Sequence, residues 1–142
     1  MEENNALTVR NLTPDEISDF GIEPCPINWG VISDNRVLAC FQAEPADKDG
    51  WLNVHANVQR KSLHPALTYA YAKTFSDQLI DYGALGLTCE IPNKNRAAIR
   101  VAAAAGFLIT SKNDEFTTLV RHGKQDKGSS GAISTEHDEY LR

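Results

Sequence analysis

Along residues 51–58 apolar and polar positions alternate: Leu52, Val54, Ala56 and Val58 on one face, Trp51, Asn53, His55 and Asn57 on the other. A period of two marks a half-buried strand, and this one has an unusually polar second face. The period then changes. Leu63, Leu67, Tyr71, Phe75, Leu79 and Tyr82 recur every three or four positions, which predicts an amphipathic helix ending at Gly83. Residues 85–91 return to alternation and stop at Pro92. Residues 95–105 are alanine-rich, with Ala98, Val101, Ala102 and Ala105 on one helical face and Gly106 closing it.

Upstream, residues 7–10 read as a short edge strand, and Thr13-Pro14-Asp15-Glu16 reads as a helix start with a capping box. Gly21, Pro24 and Pro26 keep that helix short. Residues 29–32 and 37–41 flank Ser33-Asp34-Asn35-Arg36, a hairpin signature. Residues 108–110 and 116–121 form a final strand pair. The expected fold is therefore α/β (α+β): one domain over residues 1–123, with a mixed, mostly antiparallel sheet of six to seven strands flanked by three helices. Residues 124–142, polar and containing Gly128-Ser129-Ser130-Gly131, read as a flexible tail.

Charge changes this picture. The net charge of −5 argues against a dedicated nucleic-acid binder. Its distribution is uneven: residues 1–49 carry ten acids against three bases, whereas residues 50–123 carry five acids against eight bases. The basic groups of that middle segment cluster at two helix starts, Arg60 with Lys61, and Lys94 with Arg96 and Arg100. Helix N-termini carry unpaired N–H groups and partial positive charge, so a polyphosphate ligand suits this segment. Three widely spaced cysteines, Cys25, Cys40 and Cys89, form no disulfide framework. Cys40 and Cys89 read as small buried residues, with Cys89 alternatively a catalytic thiol. The histidines show no metal-ligand spacing, so no metal is expected. An acidic, polar N-terminus and the lack of a membrane-length apolar run imply a cytoplasmic protein without a membrane partner.

The run Asn95-Arg96-Ala97-Ala98-Ile99-Arg100-Val101, followed by Ala105-Gly106-Phe107, resembles the C-terminal signature of the GNAT acyl-CoA-dependent N-acyltransferase superfamily. Gln59-Arg60-Lys61-Ser62-Leu63-His64 stands where that family has its Gln/Arg-x-x-Gly-x-Gly/Ala pyrophosphate loop, and the resemblance spans residues 7–122. It implies acetyl-CoA as co-substrate, bound by Val58, Gln59, Arg60, Lys61, Ser62, Leu63, His64, Asn95 and Arg96. It also implies direct attack by an amine acceptor: a protein, a small molecule or a modified nucleotide.

Acyl transfer to an amine needs a general base, and His55 and Glu90 are the candidates. His55 lies on the polar strand face, and imidazole titrates near neutrality. Glu90 lies at the end of the next strand. The chain departs from the family pattern where Ser62 and His64 fill the two glycine slots, and where Ala102 occupies the position of the common tyrosine acid. These departures motivate a second reading, a catalytically inactive GNAT-like structural or interaction protein resembling those of bacteriophages. In that reading the chain resides in a virion or host cytoplasm and forms a homo-oligomer or partner complex through the tail.

Overall fold

The computed structural model describes residues 7–59 and 63–124. In chain order the elements are β1 (Thr8–Asn11), α1 (Pro14–Phe20), β2 (Ile27–Ser33), β3 (Arg36–Pro45), β4 (Trp51–Val58), α2 (Pro65–Asp81), β5 (Gly86–Pro92), α3 (Arg96–Ala104), β6 (Leu108–Lys112) and β7 (Phe116–His122). One sheet holds the strands in the order β1-β2-β3-β4-β5-β7-β6. All junctions are antiparallel except that between β4 and β5.

Local chemistry explains the boundaries. The capping box of α1 forms as the sequence implies: Glu16 N–H donates to Thr13 Oγ1 at 3.2 Å, and Thr13 N–H donates to Glu16 Oε1 at 2.9 Å. The β2–β3 hairpin turns on Asp34 and Asn35, at φ 53° and 64°. Both residue types tolerate the left-handed region that a tight hairpin requires.

The sheet buries its two faces differently. Ala39, Phe41 and Ala43 of β3 pack with Ala72, Phe75 and Leu79 of α2, and with Ala102 and Ala105 at the end of α3, in the main core. The intervening Cys40 points the other way, into a smaller cluster with Ile17 of α1, Leu12 and Ile32. Helices α2 and α3 thus cover one face, and α1 shields part of the other.

The stripe expected on α2 is only partly buried. Leu67 is 41% exposed and Tyr82 is 88% exposed, whereas Thr68, Ala72, Phe75, Ser76, Leu79 and Ile80 are buried. A helix turns 100° per residue, so steps of four overshoot a full turn by about 40° and repeated fours wind off the core face. Of the expected tail, Lys124 is described, and its Nζ lies 2.6 Å from Asp81 Oδ1. The rest lies outside the described residues. No helix among them is long and apolar enough to cross a membrane.

Candidate active site

The parallel strands β4 and β5 stay together for only three positions, Trp51↔Gly86, Leu52↔Leu87 and Asn53↔Thr88. Trp51 lies flat over Gly86, where an added Cβ would come within 2.4 Å of the indole ring. His122 meets the same ring edge-on at 5.3 Å, and Lys48 Nζ sits 4.8 Å from its centroid. Beyond this clamp β4 continues to Val58 paired only with β3, and β5 continues to Pro92 paired only with β7.

The divergence opens a cleft of about 790 Å³ between the strands and the two long helices. Its helical walls are built of small residues: Thr68, Ala72 and Ser76 recur every four positions along α2, facing Ala98, Ala102 and Ala105 from α3. Larger side chains there would fill the space. Sequence reading picked out the alanine face of α3 but missed the row on α2, because Thr68, Ala72 and Ser76 carry no conspicuous chemistry; their shared spacing and small volume were the available signal.

His55 and Glu90 both line the cleft. Register places them on the sheet face turned away from α2 and α3, where His55 is opposite Gln42 and Glu90 is opposite Thr118. His55 Nε2 lies 3.1 Å from Glu44 Oε2. A carboxylate there favours the tautomer with hydrogen on Nε2, leaving the Nδ1 lone pair available. Glu44 was not anticipated as a partner because it lies eleven residues away on a neighbouring strand.

The expected coenzyme contacts divide into groups. Arg60, Lys61 and Ser62 lie outside the described residues. Val58 is exposed at the end of β4 and Leu63 is buried; both line the cleft. Gln59 continues the β4 edge, its N–H donating to Leu38 O at 3.0 Å. His64 is the N-cap of α2: its Nδ1 accepts from Ala66 N–H at 3.1 Å, and Pro65 occupies the first helical position. A helix start that usually offers free N–H groups to an anion is therefore closed by its own side chain.

Asn95 is the N-cap of α3, with Oδ1 accepting from Ala98 N–H at 3.1 Å. That bond uses the carbonyl oxygen and leaves the Asn95 amide N–H groups for a ligand at the cleft rim. Arg100 and Tyr69 also line the cleft, whereas Arg96 does not. Tyr71, in contrast, packs against Trp29 with ring centroids 6.3 Å apart. Burial pushes the Cys89 thiol up to about 12, so it is not a ready thiolate at neutral pH. The same effect puts Cys40 at about 12.

A parallel strand pair that parts midway, with a helix beginning beyond each parted strand, is the architecture of one known fold. The chain has the GNAT acetyltransferase fold. It aligns over 84% of its length with all of a GNAT-family acetyltransferase from Streptococcus pneumoniae, at TM-score 0.66 and 8% identity. It aligns over 89% of its length with 99% of yncA from Salmonella typhimurium, whose structure contains its cofactor acetyl-CoA, at TM-score 0.70 and 12% identity. The ribosomal-protein-S18-alanine N-acetyltransferase of Escherichia coli matches at TM-score 0.66 and 14% identity, over 82% of this chain and 94% of that one. No family model and no curated protein matches at the level of sequence.

Proposed function

We propose that this chain is an N-acetyltransferase that moves an acetyl group from acetyl-CoA to an amine in a ternary complex. The observation that carries this reading is the cleft itself. Its helical walls carry small side chains, which leave room for a pantetheine arm, and it opens between β4 and β5 towards a polar face holding an oriented imidazole. Neighbours of the same fold include one solved with acetyl-CoA and one named for acetylating a protein alanine.

In this reading the acceptor nitrogen attacks the thioester carbonyl carbon, the carbon–sulfur bond breaks, and an amide and free thiol result. His55 Nδ1 takes the proton lost by the amine, while Glu44 holds the ring and stabilises the imidazolium that forms. Backbone N–H groups on the unpaired edge of β4 stabilise the charge growing on the carbonyl oxygen. Ala102 has no proton to donate, so the departing sulfur is protonated by water or by Tyr69, the phenol lining the cleft. Glu90 holds a water or the acceptor on the same face. The acidic first third of the chain favours a cationic acceptor.

Calorimetric titration with acetyl-CoA, paired with thiol release in the presence of amines, tests the proposal. Ala97 is exposed on α3 and lines the cleft, so Ala97→Trp should obstruct the channel without disturbing the core. The expected result is saturable binding by the parent chain and at least tenfold weaker binding by Ala97→Trp. Absence of binding at millimolar acetyl-CoA would overturn the reading.

A further inference from the structure

Three side chains far apart in sequence converge beside the acceptor face. The ligand-type atoms of Cys25, Glu44 and His55 all lie within 4.8 Å of one another. Cys25 is in the loop before β2, Glu44 is near the end of β3, and His55 is in the middle of β4. Their separations of nineteen and eleven residues give no sequence motif.

A second set of residues holds this triad in place. Asn28 clasps the Cys25 backbone from both sides, accepting from Cys25 N–H at 3.0 Å and donating through Nδ2 to Cys25 O at 2.5 Å. The buried Gln42 donates through Nε2 to Asn28 Oδ1 at 2.8 Å and to Glu23 O at 2.7 Å. Its Oε1 accepts from Asn57 Nδ2 at 3.2 Å. The amides thus fix the loop carrying Cys25 against the two strands carrying Glu44 and His55. The network anchors the backbone that presents Cys25 and leaves the three ligand atoms themselves unengaged by these amides.

We propose that Cys25, Glu44 and His55 bind one zinc ion. One thiolate, one carboxylate and one imidazole match the preference of a borderline-soft divalent cation. With metal–ligand bonds of about 2.0–2.3 Å, tetrahedral ligands stand roughly 3.3–3.7 Å apart. The Glu44–His55 pair is at 3.1 Å and no separation exceeds 4.8 Å, so closure around an ion requires side-chain adjustments of up to roughly 1.5 Å. Binding displaces the thiol proton to solvent and breaks the hydrogen bond between His55 and Glu44. Three protein ligands leave the fourth position open to water. Zinc on His55 Nε2 leaves the ring hydrogen on Nδ1, so the metal-bound state and the general-base role proposed for His55 exclude one another; the inference rests on no acyl-transfer step, because its readout is the metal itself.

The test is titration of the full-length, reduced chain with Zn²⁺ by calorimetry, and with Co²⁺ by absorption spectroscopy. One equivalent should bind, and cobalt should give a thiolate-to-metal charge-transfer band. Cys25→Ser should abolish that band, and Glu44→Gln and His55→Gln should each weaken zinc at least tenfold. Cys89→Ser should leave both signals unchanged, with circular dichroism verifying the fold of every variant. No saturable zinc uptake at micromolar metal, or a charge-transfer band that survives in Cys25→Ser, would overturn the proposal.

Discussion

Asn95 has two separable duties, and two substitutions distinguish them. Asn95→Ala removes the acceptor of the Ala98 N–H bond at 3.1 Å. Helix α3 has only nine residues, so it has little internal hydrogen bonding to spare. Loss of an N-cap of this type costs about 1 kcal/mol, which for a domain of this size lowers Tm by roughly 4 °C. Asn95→Asp keeps the acceptor and places a negative charge at the positive end of the helix, worth about 0.3–1 kcal/mol. Its stability should equal or exceed that of the parent. The same change removes the amide donors and sets a carboxylate at the cleft rim. Acetyl-CoA affinity should therefore fall in both variants, by about five- to tenfold for the lost hydrogen bond, and further in Asn95→Asp through repulsion. Thermal and urea denaturation followed by circular dichroism measures the first effect, and calorimetry measures the second. An unchanged Tm in Asn95→Ala would refute the cap argument. Undiminished acetyl-CoA binding by a folded Asn95→Asp would refute the ligand role.

At the root of the strand divergence, Gly86→Ala drives a Cβ to 2.4 Å from the Trp51 ring; overpacking of this kind should cost about 1–3 kcal/mol in urea unfolding. Glu16 is held down to about 2, from an ordinary 4.5, first by its bond to Arg10 and then by Thr13 N–H. A carboxyl lowered by folding contributes above its unfolded pKa. The stability gap between the parent and Glu16→Gln should therefore be full at neutral pH and shrink as pH falls from about 4.5 to about 2, as read by denaturation at several pH values. Because Cys89 is pushed up to about 12 by burial, Cys89→Ala should retain acetyl transfer; loss of turnover in a folded variant would restore the thiol as a catalytic candidate.

The order of elements was legible because each period is local. Alternation over residues 51–58, capping by Thr13 and Glu16, and the Asp34-Asn35 turn all depend on neighbours within a few positions. The walls of α2 were less legible. A stripe of large residues draws attention, yet the cleft side of the helix is made of Thr68, Ala72 and Ser76, whose importance lies in the space they leave. His64 caps α2 through its own ring. The same position also stands in the phosphate loop of the resemblance, and only geometry reveals that its ring occupies the Ala66 N–H. The clustering of Glu44 and Cys25 about His55 was invisible for a different reason: strand register, which no single segment encodes, brings Glu44 beside His55, and the loop before β2 then adds Cys25.

The separation of β4 from β5 gives this sheet an edge in its interior. Ordinary edge strands lie at the rim and are blunted by charge, twist or cover; here the exposed rungs of β4 sit mid-sheet between two helices. A guest with amide groups can act as a surrogate strand and complete the ladder from within, as an added peptide does at an outer edge. The unfilled rungs should exchange their amide hydrogens readily and become protected on ligand binding. Selectivity for an amide-bearing donor would then begin in the main chain, before any side chain is consulted.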